Sequence, residues 1–178
     1  MVFIRGAGGL IRALDVFLFS RWQMNREGIH EAISGFLSLL EDRNVDAEEK
    51  GARLKLALDR LALAYHFAEY KFDETDYPDG PRKDYSALRK TVEAIFPDYS
   101  RYNTPSEISE KIGKAEIYVG DAIDDITDIA LDMYEVRWLW ENTSVENALW
   151  QFRFGYESHW GMHLRCLQLY LLAINYGQ

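Results

Sequence analysis

Apolar side chains recur every three or four positions along almost the whole chain, and no run alternates convincingly with period two. That pattern predicts helices. Asn25 is placed to cap a helix through GIHEAISGFLSLLED. Asp46 followed by Glu49 has capping-box spacing and opens a long helix through LKLALDRLALAYHFAEY. FDETDYPDGPRKD, with Pro78, Gly80 and Pro81 inside it, reads as a loop. Asp84 caps a helix that ends at Phe96–Pro97, and PDYSRYNTP is a second loop. An acidic helix follows. Thr143 with Glu146 is another capping box, opening a helix from about Val145 to Asn175 that Gly177 stops. The expected fold class is all-α, a single-domain irregular helical bundle of five to seven helices.

The N-terminus changes the picture only at its edge. MVFIRGAGGLIRALDVFLFS is apolar, but Arg5, Arg12 and Asp15 interrupt it and no small-residue cleavage site follows cleanly. It is too broken by charge for a transmembrane span. The expectation is a hydrophobic helix over residues 1–24 packing on the body, with an all-α domain over 25–178. A natural start at Met24 and a surface-lying amphipathic anchor are the alternatives.

The 178 residues suffice for one domain with a real core. Net charge is -9 with a pI near 4.9, so the surface repels phosphate backbones and nucleic-acid binding is disfavoured. Such a surface suits solubility, or a partner with a basic face. The single cysteine, Cys166, excludes an intramolecular disulfide and a Cys-based zinc site, and fits a cytoplasmic location.

Charge patterning marks the first candidate site. GDAIDDITDIALDMYE, residues 120 to 135, holds five aspartates and one glutamate. On a helix, Asp121, Asp124, Asp125, Asp128, Asp132 and Glu135 share one arc of about 100°, with Ile123, Ile126, Ile129, Ala130, Met133 and Tyr134 opposite. Each like-charged pair at i+3 or i+4 costs about 0.2–0.5 kcal/mol. Aspartate is also a poor helix former, so local stability does not explain the stripe. Three readings offset the cost: a solvated face, burial against basic side chains of another helix, or a Mg²⁺ or Mn²⁺ ion held by carboxylates at i, i+3 and i+4.

The last helix carries FGYESHWGMH. His159 and His163 are four apart and point the same way, on a stripe with Phe152, Tyr156, Cys166, Tyr170 and Ile174 that reads as the core face; Trp160, Leu164, Leu167 and Leu171 flank it. The pair is either satisfied structurally or ligating; H-x-x-x-H can chelate a metal, but the zincin pattern needs Glu where Trp160 stands. If the aspartates meet this pair, they raise the imidazole pKa values. A metal, if bound, draws on Asp124, Asp125, Asp128, His159 and His163. Gly161 either allows a close backbone approach or is a tolerated helix glycine.

The order D-D-I-T-D-I-A-L-D-M, then A-L-W-Q-F-R-F-G-Y-E-S-H-W-G-M-H, resembles an uncharacterised bacterial family, one of the domains of unknown function. Its pattern is D-D-x-x-D-I-x-x-D followed by A-x-W-x-x-R-F and H-W-G-x-H. Asp124, Asp125, Asp128, Asp132, Trp150, Arg153, Phe154, His159, Trp160, Gly161 and His163 match it here. The resemblance spans roughly residues 50–172 and implies an all-α fold and a candidate site, but no reaction.

No catalytic nucleophile stands out. Cys166 has no basic pocket to activate it, Ser158 has no nucleophile elbow, and no glycine loop cradles phosphate. Two functions remain. The first is a non-enzymatic acidic protein that binds another protein, such as an immunity or inhibitor protein neutralising a basic toxin or enzyme. Its first surfaces are the stripe, with Asp121, Asp124, Asp125, Asp128, Asp132, Arg153, His159, Trp160 and His163, and the loop holding Tyr99 and Tyr102. That function needs no cofactor. The second is a Mg- or Mn-dependent all-α hydrolase of the nucleotide pyrophosphohydrolase type. There Glu107 and Glu110 form E-x-x-E, and Asp121/Asp124 or Asp125/Asp128 supply the second pair.

Overall fold

In the computed structural model, which describes residues 24–42 and 47–177, Asn25 accepts a hydrogen bond from the Gly28 amide at 2.9 Å and opens α1 (Arg26–Glu41). The proposed helix over residues 1–24 and the Asp46 cap fall almost wholly outside the described residues. Ile29, Ile33, Phe36, Leu37 and Leu40 recur at helical spacing and are buried against α2 (Ala47–Phe67), which returns Leu54, Leu58 and Leu61. Each such side chain contributes about 1.5–3 kcal/mol on burial. The helix stops at Phe67, short of the expected Tyr70, and a strap over residues 68–84 follows. Glu146 pins the strap by accepting from the Lys71 amide at 2.5 Å, and Asp73 pins it by accepting from the Ser144 hydroxyl.

Asp84 caps α3 (Tyr85–Ile95) by accepting from the Ala87 amide at 2.7 Å. The chain then forms an antiparallel hairpin of β1 (Arg101–Pro105) and β2 (Ile117–Asp121), with Tyr102 opposite Gly120. Period-two alternation does not announce it. Both strands have five residues, β1 carries Asn103 and Pro105, and Ile117, Tyr118 and Val119 all stand exposed. The protein is predominantly helical all the same, with six α-helices among the described residues.

Strand β2 runs directly into α4 (Ala122–Asn142), the hub of the fold, which packs on α1, α3, α5 (Val145–Gly155) and α6 (Gly161–Tyr176). Ile126, Ile129, Ala130 and Met133 are its wholly buried face. Ser144, one residue past the expected Thr143, caps α5 by accepting from the Asn147 amide at 3.1 Å. Thr143 turns its hydroxyl back to the Leu139 carbonyl at 2.6 Å and closes α4 instead. Glu146 is drawn off to Lys71 and Arg26, so no capping box closes.

The expected last helix is two helices joined by a π-helical turn, Tyr156–Trp160. A Cβ on Gly161 would sit 2.2 Å from the Tyr156 carbonyl oxygen, so the close approach is to its own preceding turn. Gly177, at φ +66°, ends α6 in the left-handed conformation that glycine permits. Among the described residues no helix is long and apolar enough to cross a membrane.

Candidate metal centre

Each acid of the α4 stripe faces a donor or cation on another element. Arg89 of α3 reaches Asp121 at 2.7 Å and Asp124 at 3.2 Å, and the Tyr85 hydroxyl also donates to Asp124. Asp121 caps α4 with its other oxygen, 3.0 Å from the Ile123 amide. Asp125, 6% exposed, accepts from Tyr102 at 2.5 Å. Gln151 donates to Glu135 at 3.2 Å. Of the three readings of the stripe, a solvated face does not describe its first five acids. They form an interface with α3, the hairpin and the C-terminal helices.

The two histidines meet the middle of that stripe. His163 Nδ1 lies 2.8 Å from Asp125 Oδ1, and His159 Nδ1 lies 2.7 Å from Asp132 Oδ2. An ionised carboxylate only accepts, so both Nδ1 atoms carry protons and donate. The rings stand edge to face with centroids 4.9 Å apart. His163 Nε2 then looks toward Asp128 Oδ2 at 3.7 Å. Ligand atoms of Asp128, His159 and His163 all lie within 4.8 Å of one another. In a tetrahedral site with metal–ligand bonds of about 2.1 Å, ligand atoms are about 3.4 Å apart, so a modest contraction closes the set.

The electrostatics follow from burial. Burial pushes the Asp128 carboxyl up, with Asp124 and Asp132 adding to the push and His163 and His159 opposing it. Burial likewise raises Asp132 against the pull of His159. The hydrogen bond to Asp125 raises His163, more than burial lowers it, and Asp128 adds to the rise. The acids around His163 thus favour its protonated form. Carboxylates behind both imidazoles are the outer support usual for metal-bound histidine. Two imidazole nitrogens and one carboxylate suit zinc or another transition ion better than Mg²⁺, which prefers oxygen.

A cleft of about 320 Å³ adjoins the set through His159. Its other wall is the strap, with Gly80, Arg82 and Lys83, facing Tyr134 and Glu135 of α4. Lys83 lies over the Tyr134 ring, 4.5 Å from its centroid. Neither Arg82 nor Lys83 forms an ion pair among the described residues.

The remaining candidate residues fall elsewhere. Arg153 points away from the stripe: it pairs with Glu157 at 3.2 Å and covers Tyr65. Trp160 is completely buried, its indole N–H on the Phe152 carbonyl at 3.1 Å, so it belongs to the core. The histidine stripe is core only in part: Phe152 and Tyr170 are buried, but His159 and Ile174 are exposed, while the flanking Trp160, Leu164, Leu167 and Leu171 are all buried. The π turn, with its extra residue, sets this register. Glu107 and Glu110 lie in the hairpin loop, between β1 and β2, so the helix carrying E-x-x-E is not formed. Tyr99 packs on Phe96 and Tyr170. Sequence reasoning misses Arg89 and Tyr85, on a helix with no charge pattern of its own, and the role of Tyr102.

No curated protein matches the chain. Among solved structures, protein BF1032 from Bacteroides fragilis superposes with a TM-score of 0.60 at 18% identity, covering 84% of this chain and 91% of that one. At that identity the likeness speaks for the fold. The family match is wider than the 50–172 stretch of the resemblance: over residues 22–176 the sequence fits the family described as "Domain of unknown function (DUF5063)", and the chain belongs to that family.

Proposed function

We propose that the protein is a metal-dependent hydrolase whose divalent cation is held by Asp128, His159 and His163. The observation that carries this reading is the pairing of both Nδ1 atoms with Asp132 and Asp125. That pairing leaves each imidazole only Nε2 to offer, and His163 Nε2 faces the Asp128 carboxylate at 3.7 Å. Three protein ligands leave positions open for water, whose pKa a bound cation lowers toward neutrality. The adjoining cleft carries Arg82 and Lys83 beside Asp79, Asp132 and Glu135, so an anionic substrate such as a phosphate ester would be taken there only with the cation in place to offset those acids. The test is calorimetric titration of the purified protein with Zn²⁺, Co²⁺ and Mn²⁺, followed by hydrolysis assays on simple phosphate esters with the loaded protein. One-to-one binding that Asp128→Ala, His159→Ala and His163→Ala each abolish supports the reading. Absence of binding by the wild type overturns it.

A second reading, binding to a basic protein partner such as a toxin or enzyme, is favoured by a different observation. The hairpin exposes Ile117, Tyr118 and Val119 beside Ile108 and Ile112 on an otherwise acidic protein. A partner retained by the wild type at moderate salt and released by Val119→Glu supports it, and equal retention by both rejects it.

A further inference from the structure

Asp125 is the most enclosed acid of the stripe, and its two oxygens have different partners. Oδ1 takes the Nδ1 proton of His163 at 2.8 Å, and Oδ2 takes the Tyr102 hydroxyl at 2.5 Å. A buried carboxylate with an empty oxygen would turn or take up a proton, because an unpaired charged oxygen is costly away from water. Tyr102 therefore fixes the rotation of Asp125, and Asp125 fixes the ring of His163.

The hairpin is built to deliver that hydroxyl. Tyr102 sits opposite Gly120 in the strand register, and the hydroxyl end of its ring lies over the glycine. A Cβ at Gly120 would stand 2.4 Å from the ring carbon that bears the hydroxyl. No side chain other than hydrogen leaves room for the ring there. The other face of Tyr102 stacks on Tyr170, with centroids 5.2 Å apart. Tyr170 is itself held by the Ser100 amide at 3.0 Å, just before β1. The next residue after Gly120, Asp121, caps α4. One five-residue strand thus joins the ring's seat to the start of the helix that carries Asp125 and Asp128.

We infer that Tyr102, seated on Gly120, is a positioning residue of the proposed metal centre, acting through Asp125 on His163. The inference rests on the proposed cation site for its functional consequence, but its geometry can be tested without a cation.

The experiment compares wild type, Tyr102→Phe and Gly120→Ala by two readouts. The first is ¹⁵N–¹H imidazole spectroscopy of the metal-free protein at pH 9. The wild type is expected to hold His163 as the Nδ1–H tautomer with a slowly exchanging proton. Both variants are expected to lose that slow exchange. The second readout is Co²⁺ affinity by titration. Both variants are expected to bind about 10–100-fold more weakly than wild type, the range for lost outer support. Gly120→Ala keeps the hydroxyl and displaces only the ring, so agreement between the two variants separates positioning from simple loss of a polar group. If both variants keep the wild-type His163 signal and Co²⁺ affinity, the inference is overturned. If the wild type binds no Co²⁺ but the tautomer signal still responds, the positioning role stands and the hydrolase reading fails.

Discussion

Arg89 stands 2.7 Å from Asp121, joining the middle of α3 to the residue that caps α4. The same guanidinium reaches Asp124, so one cation holds two acids that would otherwise repel each other at i, i+3. All three groups are partly exposed, which limits the strength of the cluster. Replacing Arg89 by Met keeps most of the stem and removes the charge. The expected loss is about 1–2 kcal/mol by urea denaturation, because a hydrogen-bonded charge is removed and two acids are left together. In a double-mutant cycle with Asp121→Asn, a coupling of about 1 kcal/mol is expected. A coupling indistinguishable from zero would show the contact to be energetically idle.

The same contact sets a pH dependence. Burial pushes the Asp121 carboxyl up, but the hydrogen bond and charge of Arg89 and the α4 amides hold it below its ordinary value. An acid lowered on folding adds stability that is present above its unfolded pKa, about 3.9, and lost as pH falls through the folded value. Asn is as good a helix cap as Asp, so Asp121→Asn isolates the charge. The wild type is expected to be more stable than the variant at pH 7, with the gap closing below about pH 4. A gap that stays constant from pH 7 to pH 3 rules this out.

What can be read from the sequence depends on whether a residue's role is local. The Asn25 and Asp84 caps, the acidic face of α4 and the helical class follow from spacing within one helix, and the structure has them. The cap expected at Thr143 falls on Ser144 because Thr143 has a competing acceptor in the Leu139 carbonyl, one turn back in a helix whose end spacing does not fix. Arg89, Tyr102 and the strap residues Arg82 and Lys83 reach the stripe from elements more than 20 positions away or from across a hairpin. No periodicity encodes such partners. Arg153, brought in by the family pattern and not by spacing, points toward Glu157. Gly120 is the one local signal: a glycine in a strand, opposite a tyrosine, marks a ring lying over backbone.

The π turn makes Gly161 a sensitive position. Gly161→Ala places a methyl carbon 2.2 Å from the Tyr156 carbonyl oxygen, so the turn must shift. A destabilisation of about 1–3 kcal/mol is expected, the usual range for overpacking. If the turn relaxes to regular α geometry, His159 rotates away from Asp132, and cation affinity should fall with stability. Trp160→Phe is the companion measurement. It leaves the Phe152 carbonyl without its indole donor and a void in the core, at a cost of about 2 kcal/mol. It carries no ligand atom, so its cation affinity is expected to fall less than that of Gly161→Ala. Equal loss of affinity in both variants would mean that affinity reports stability and not site geometry.

Asp128 is the position where stability and the proposed function should part. In the metal-free protein it is a half-buried carboxylate with Asp124 and Asp132 one turn away on the same face. Burial and those two charges outweigh the help it receives from His163 and His159, so its charged form works against folding at neutral pH. Asp128→Asn keeps the shape and removes the charge. It is expected to raise the stability of the metal-free protein by a few tenths to about 1 kcal/mol at pH 7, as sites kept for function often do when neutralised. It should also lower Zn²⁺ affinity by at least about 100-fold, since a direct ligand is lost. Asp132→Asn is expected to weaken Zn²⁺ by only about 10–100-fold, because it removes support behind His159 and not a ligand. Thermal melts with and without Zn²⁺ read both effects together. A stabilised Asp128→Asn that no longer responds to Zn²⁺, beside an Asp132→Asn that still does, is the expected pattern. A destabilised Asp128→Asn with an undiminished Zn²⁺ shift would place the cation elsewhere.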